Sequence, residues 1–138
     1  MQSRSMQFNF DTVNLLKAGP VPLVVAVVLA VLLRLVGISL GFLSGILFTL
    51  FWAFCGAWYA RAAMQSGARL FVTDLALNGT ILGLVASVVY SLVYWIAAAL
   101  RSSGYTLDVV GLLFGAVADG IIAALGAVAW HAYTMEKR

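Results

Sequence analysis

One carboxylate stands alone in a long apolar stretch. Asp119 is the sole charged residue in VVGLLFGAVADGIIAALGAVAW (109–130). It falls about ten residues into a helix, near the midplane of a bilayer at about 1.5 Å rise per residue. An ionised carboxylate at that depth costs several kcal/mol unless it is paired or protonated. Two chemistries follow. Asp119 can tie two helices together through a hydrogen bond or an ion pair. It can instead hold a proton or a cation, or dock the charge of a partner. Arg34 and Ser87 are its expected partners, with Tyr90 and Ser91 as further hydroxyl donors. Arg34 has a second reading, in which its side chain snorkels to the outer headgroups. An amide at Asp119 separates the two chemistries: a tie tolerates it and a proton site does not.

The remaining reactive residue types are sparse. His131 and Cys55 are each the single residue of their kind and belong to different helices. A lone histidine could ligate a chlorin or haem iron, but no second ligand accompanies it, so His131 reads as an interfacial side chain. Cys55 reads as a small buried hydrophobe. No Cys/His/Asp/Glu cluster has metal spacing, no nucleophile has a base beside it, and no glycine-rich loop cradles phosphate. The expectation is a chain that is not an enzyme and carries no cofactor. Without a run of basic residues, nucleic-acid binding is unsupported. Asn78-Gly79-Thr80 matches a glycosylation pattern, at a place in the chain expected to be inaccessible to the modifying enzyme.

These residues must be positioned by helices inside lipid. Of the 138 residues, 64% are hydrophobic and 9% charged, against about a quarter charged in soluble domains. So few charges cannot cover a water-facing surface. From Gly19 to Met64 the chain is almost continuously apolar, roughly twice the 20 residues that span a bilayer. It must turn once, at Gly37-Ile38-Ser39-Leu40-Gly41. Four spans are expected, at about 20–36, 41–63, 75–100 and 107–133. They are divided by the polar break 65–74 and the turn Arg101-Ser102-Ser103-Gly104. Pro20 and Pro22 sit in the first turn of the first span, where a missing N–H costs least. Residues 1–18 space Met6, Phe10, Val13 and Leu16 near a helical period, with Gln7, Asp11, Asn14 and Lys17 between them. This predicts a short amphipathic helix lying at the membrane interface, followed by an uncleaved insertion signal; residues 135–138 form a tail. The fold class is therefore an all-α integral membrane protein, a four-helix transmembrane bundle.

Orientation follows from the basic residues. Arg4, Lys17, Arg61, Arg69, Lys137 and Arg138 fall on one side of this scheme, and Arg34 and Arg101 near the other. The excess of Lys and Arg marks the cytoplasmic side, which puts both termini there in the cell (inner) membrane. Trp58, Tyr59, Trp130 and Tyr133 fall at the same interface.

Three glycine runs repeat every fourth residue: Gly37-Gly41-Gly45, Gly79-Gly83 and Gly111-Gly115. Helices in lipid associate by close packing, and small residues one turn apart let backbones approach. These faces are expected to pack the second, third and fourth spans, within the chain or between copies. Asp119 continues the row of Gly111 and Gly115, and Ser87 continues that of Gly79 and Gly83. The second and fourth spans also align without a gap: Gly41, Gly45, Ala53 and Gly56 match Gly111, Gly115, Ala123 and Gly126. A Phe-x-x-Asp element precedes each odd span, at Phe8…Asp11 and Phe71…Asp74. Two parallel hairpins related about the membrane normal would produce this pattern. The expected role is an accessory or scaffold subunit of a membrane complex, or a homo-oligomer, with the lipid bilayer and other membrane subunits as partners. The alternative is a small oligomeric channel or transporter in which Asp119 is the proton or cation site.

Overall fold

The computed structural model describes residues 8–36, 40–102, 104 and 106–137. Gly37 and the outermost basic residues, Arg4 and Arg138, lie outside them. The described residues form five helices and no strand: α1 (Thr12–Ala18), α2 (Pro20–Leu35), α3 (Phe42–Gln65), α4 (Val72–Arg101) and α5 (Val109–Glu136). Helices α3, α4 and α5 are long and apolar enough to cross a membrane. A fourth crossing exists if α1 and α2, bent by 42° at their junction, are taken as one span. Alone, α2 with its 16 residues reaches about 24 Å, less than the ~30 Å hydrocarbon core.

Local chemistry accounts for the helix ends. Gly19 keeps helical backbone angles, but Pro20 and Pro22 lack the N–H groups that would bond the Leu16 and Ala18 carbonyls, so the helix kinks there. The α2 carbonyls of Arg34 and Leu35 accept hydrogen bonds from Arg101 Nη1 at 2.6 and 3.3 Å, a cation placed where the helix dipole is negative. At the end of α3, Gly67 takes φ +74° and Ala68 N–H donates back to the Ala63 carbonyl at 3.3 Å. Only a residue without Cβ adopts that turn cheaply. Asp74 accepts from the Phe71 N–H at 3.2 Å, which starts α4 ahead of the expected residue 75. Asp108 accepts from the Gly111 N–H at 2.9 Å, which starts α5 after the expected residue 107.

Register follows from side-chain contacts. Gly79 faces Ala127, Gly83 faces Ala123 and Ser87 meets Asp119, so α4 and α5 run antiparallel. Helix α3 is also antiparallel to α4, since Gly56 lies by Gly79 whereas Phe48 and Trp52 meet Tyr90; α3 and α5 therefore run parallel, and Thr134 Oγ1 donates to Met64 Sδ at 3.5 Å. The three form the tight centre of the fold, and α2 packs mainly along α4.

Alanine fills much of the interior, around a few large side chains such as Tyr59, Trp52 and Leu75 and a few polar ones, and large apolar side chains cover the exterior. Ala26, Ala60, Ala86, Ala98, Ala123, Ala127 and Asn78 are fully buried, whereas Phe114 is 75% and Leu125 65% exposed. The same inversion governs α1. Phe10, Val13 and Leu16 point outward while Asn14 is buried. The segment is helical and amphipathic as its spacing predicts. Its polar side is divided: Asp11 accepts from Tyr59 and donates its N–H to Asn78, and Asn14 is buried beside it, whereas Lys17 is exposed.

Candidate functional site

Two polar constellations are built into this frame, one at mid-length and one at the end where α4 begins. The first depends on how closely α5 can approach its neighbours. A Cβ on Gly56 would overlap the Ala123 carbonyl oxygen, and a Cβ on Gly126 would overlap that of Ala53. The contact is reciprocal: each glycine of one helix sits on the alanine of the other, crossing between the pairs Ala53/Ala123 and Gly56/Gly126 that the alignment matches. Gly83 likewise has no room for a Cβ beside Ala123, and a Cβ on Gly120 would stand 3.1 Å from Thr80. With both backbones in contact, Ser87, one turn beyond Gly83, donates its hydroxyl to Asp119 Oδ2 at 2.5 Å.

Beyond the crossing at Gly56 and Gly126, α3 and α5 separate toward their N-terminal ends. A groove of about 250 Å³ opens between them, floored by α4. Phe48, Trp52, Ser87, Tyr90, Gly115 and Asp119 line it. Asp119 is the single charged residue among the described lining. The aromatic wall is continuous: the Phe48 and Tyr90 rings meet edge to face at 5.1 Å, and those of Trp52 and Tyr90 at 6.0 Å. Ser87 is thus the expected partner that meets the carboxylate. The Arg34 guanidinium lies over the Tyr94 ring at 5.5 Å from its centroid.

The glycines that spacing singled out divide into two sets. Gly79 and Gly83 face α5. Gly41 precedes α3 at φ +52°, where a Cβ would meet no neighbouring atom within 4 Å among the described residues, and the same open space lies at Gly45 and Gly115. Gly111 faces its own Asp108 side chain. The tightest contacts fall on Gly56 and Gly126, which four-residue glycine spacing does not select. Their signal was present in the alignment of α3 with α5, where both pairs match.

The second constellation joins the start of the described chain to α3 and α4. Asn78 Nδ2 donates to the Asn9 carbonyl at 3.0 Å and to the Asp74 carbonyl at 2.8 Å, and Asn78 Oδ1 accepts from Asp11 N–H at 3.1 Å. Asp74 Oδ1 accepts from Asn9 N–H at 3.0 Å. Asp11 Oδ2 accepts from Tyr59 Oη–H at 3.0 Å and from Asn14 Nδ2 at 2.7 Å. Asn78, Tyr59, Asp74 and Asn14 are buried. The asparagine of the glycosylation pattern is therefore fully engaged inside the fold. The Phe-x-x-Asp elements, read from sequence as a repeat, here supply both carboxylates of one network. His131 lies near this end, beside Met64, Arg69 and Met135, and Cys55 is buried among Ala26, Phe51 and Trp52. No protein family, curated protein or solved structure matches this chain.

Proposed function

We propose that this chain is a four-span integral membrane protein, with α1 and α2 as one bent span, that works by assembly rather than catalysis. It is an accessory or scaffold subunit of a membrane complex, or a homo-oligomer. Three observations support the bilayer and its sidedness. Apolar side chains face outward on every helix. Asp11, at the start of α1, is hydrogen-bonded to Tyr59 and Asn78 of the protein. Lys17, Arg61, Arg69 and Lys137 belong to the helix ends around the 66–71 connection, whereas Arg34 and Arg101 meet at the opposite end. The excess of basic residues assigns the first end, and both termini with it, to the cytoplasm.

The observation that carries the assembly reading is the unequal use of glycine. The halves of α3 and α5 that meet are closed by glycine contacts, whereas Gly45 and Gly115 on the diverging halves face open space. In lipid a small-residue surface gains by receiving another helix. Gly45→Leu and Gly115→Leu are expected to leave the unfolding midpoint within about 0.5 kcal/mol of the parent, as for surface changes. The native assembly seen by size in mild detergent is expected to be lost. A parent protein that migrates as an isolated monomer with nothing bound, or variants of unchanged assembly size, would refute the reading.

A second reading, an oligomeric channel or transporter with Asp119 as its proton or cation site, is favoured by the placement of that carboxylate in an open groove. Proteoliposomes test it: proton or cation flux should disappear in Asp119→Asn while helical content and melting are kept. Flux equal to the parent's would count against it.

A further inference from the structure

We propose that the groove between α3 and α5 binds an alkylammonium group, with Asp119 as counter-ion and the Phe48–Trp52–Tyr90 wall as its apolar seat; this rests on the second reading, that Asp119 serves a cation. The chemistry of the lining selects the ligand class. A calcium or magnesium ion needs about six oxygen ligands to replace its water, and here one carboxylate and the Ser87, Tyr90 and Ser91 hydroxyls stand among aromatic and glycine surfaces. A bare metal ion would be under-coordinated, and a hydrated one would lie against rings that cannot bond its water. An alkylammonium reverses both terms. Its charge is spread over an apolar shell, aromatic faces attract it within about 6 Å of their centroids, and a single carboxylate neutralises it. Packing holds these groups in place. Trp52 is buried and braced by Phe51 at 4.7 Å, Tyr90 is stacked on Tyr94 at 5.9 Å, and Ser87 holds one carboxylate oxygen. Gly115 opens the mouth without a side chain. The groove's 250 Å³ falls just below the roughly 300–1,000 Å³ of drug-sized sites, which suits a head of a few heavy atoms. That head could belong to a free lipophilic amine or to the choline of a lipid.

Calorimetry on the full chain in dodecyl maltoside decides the matter, with phenyltrimethylammonium as probe and tert-butylbenzene as its uncharged isostere. Saturable binding of the cation is expected, with no displacement by the isostere. Asp119→Asn should weaken it at least tenfold. Tyr90→Leu should weaken it by about three- to tenfold, the worth of one partly desolvated cation–π contact, and Tyr90→Phe should restore it. Absence of saturable binding, displacement by the isostere, or parental affinity in folded Asp119→Asn would overturn the proposal. If that variant does not fold, the isostere competition on the parent protein decides alone. Added short-chain phosphatidylcholine separates the sources: competition identifies the lipid headgroup, and its absence a free amine, with ammonium recognition upheld in both. Ammonium binding without flux would remove the transport reading and keep this site. Asp119-dependent proton flux without ammonium binding would do the reverse.

Discussion

Alanine at Gly56 is expected to destabilise the folded helices by about 3 kcal/mol, the upper end of what overpacking costs in a well-packed interior. The added methyl would overlap the Ala123 carbonyl oxygen, a backbone atom that cannot rotate away. Helices α3 and α5 must then separate, and the separation propagates to α4, because Gly79 packs so closely that a Cβ on it would stand 3.6 Å from the Gly56 Cα. Gly126→Ala should cost a similar amount, since it drives a methyl onto the Ala53 carbonyl from the other side of the same contact. The double variant should cost less than the two singles combined, by about 1 kcal/mol or more. Once the helices have moved apart for one methyl, the second finds room, and residues in contact are where additivity fails. Denaturant titration in detergent micelles, followed by circular dichroism, measures all three. Gly45→Ala is the internal control: its methyl meets no atom of another described segment within 4 Å, and alanine's helix propensity should stabilise by up to about 1 kcal/mol. If Gly56→Ala proves as benign as Gly45→Ala, the reciprocal contact is not what joins α3 to α5.

Leucine at Asn78 should have the second-largest effect. The two side chains are close in size, so the change removes hydrogen bonds with little change in volume. Asn78 serves the Asn9 carbonyl, the Asp74 carbonyl and the Asp11 N–H, in a place with no water access of its own, since the residue is 0% exposed. Each buried polar group left unmatched costs roughly 1–3 kcal/mol. The segment before α1 should therefore release from α4 rather than remain docked. Exchange of the Asn9 and Asp11 amides should accelerate by about 100-fold, the equivalent of ~3 kcal/mol, with α5 little changed. Tyr59→Phe removes only the hydroxyl bond to Asp11 and should cost about 1.5–3 kcal/mol, as for bonds to charged groups. Hydrogen-exchange mass spectrometry reads both variants. Exchange at Asn9 and Asp11 unaffected by Asn78→Leu would show that the segment is held by its apolar contacts instead.

Much of the architecture was legible in the residues. Apolar length demanded helices of membrane-crossing size, glycine and proline clusters marked the breaks, and the helix ends fall within about a turn of where charge and caps put them. Asp119 stands out because a lone carboxylate in an apolar run is costly, and depth and helical spacing put Ser87 among its expected partners, beside Arg34, Tyr90 and Ser91. The alignment of α3 with α5 paired Ala53 with Ala123 and Gly56 with Gly126, and these four residues make the closest approach in the fold. The network around Asn78 was not legible. Its members come from separate stretches, around Asn9, at Tyr59 and around Asp74; the four-span scheme puts these at one end, but no local spacing pairs one with another.

The sequence by itself determined the helical class, the apolar character of the surface, and the residue types that could let helices approach. Only tertiary structure decided which glycines do so, how the polar stripe of α1 divides, and that aromatic rings gather around Asp119. The reason lies in the proposed solvent. In water, hydrophobicity selects the buried face of a helix, and a periodic sequence announces it. In lipid, leucine is equally at ease on either side, so burial falls to backbones that fit and to polar groups that find one another. Those are matches between distant segments, visible only when the segments meet.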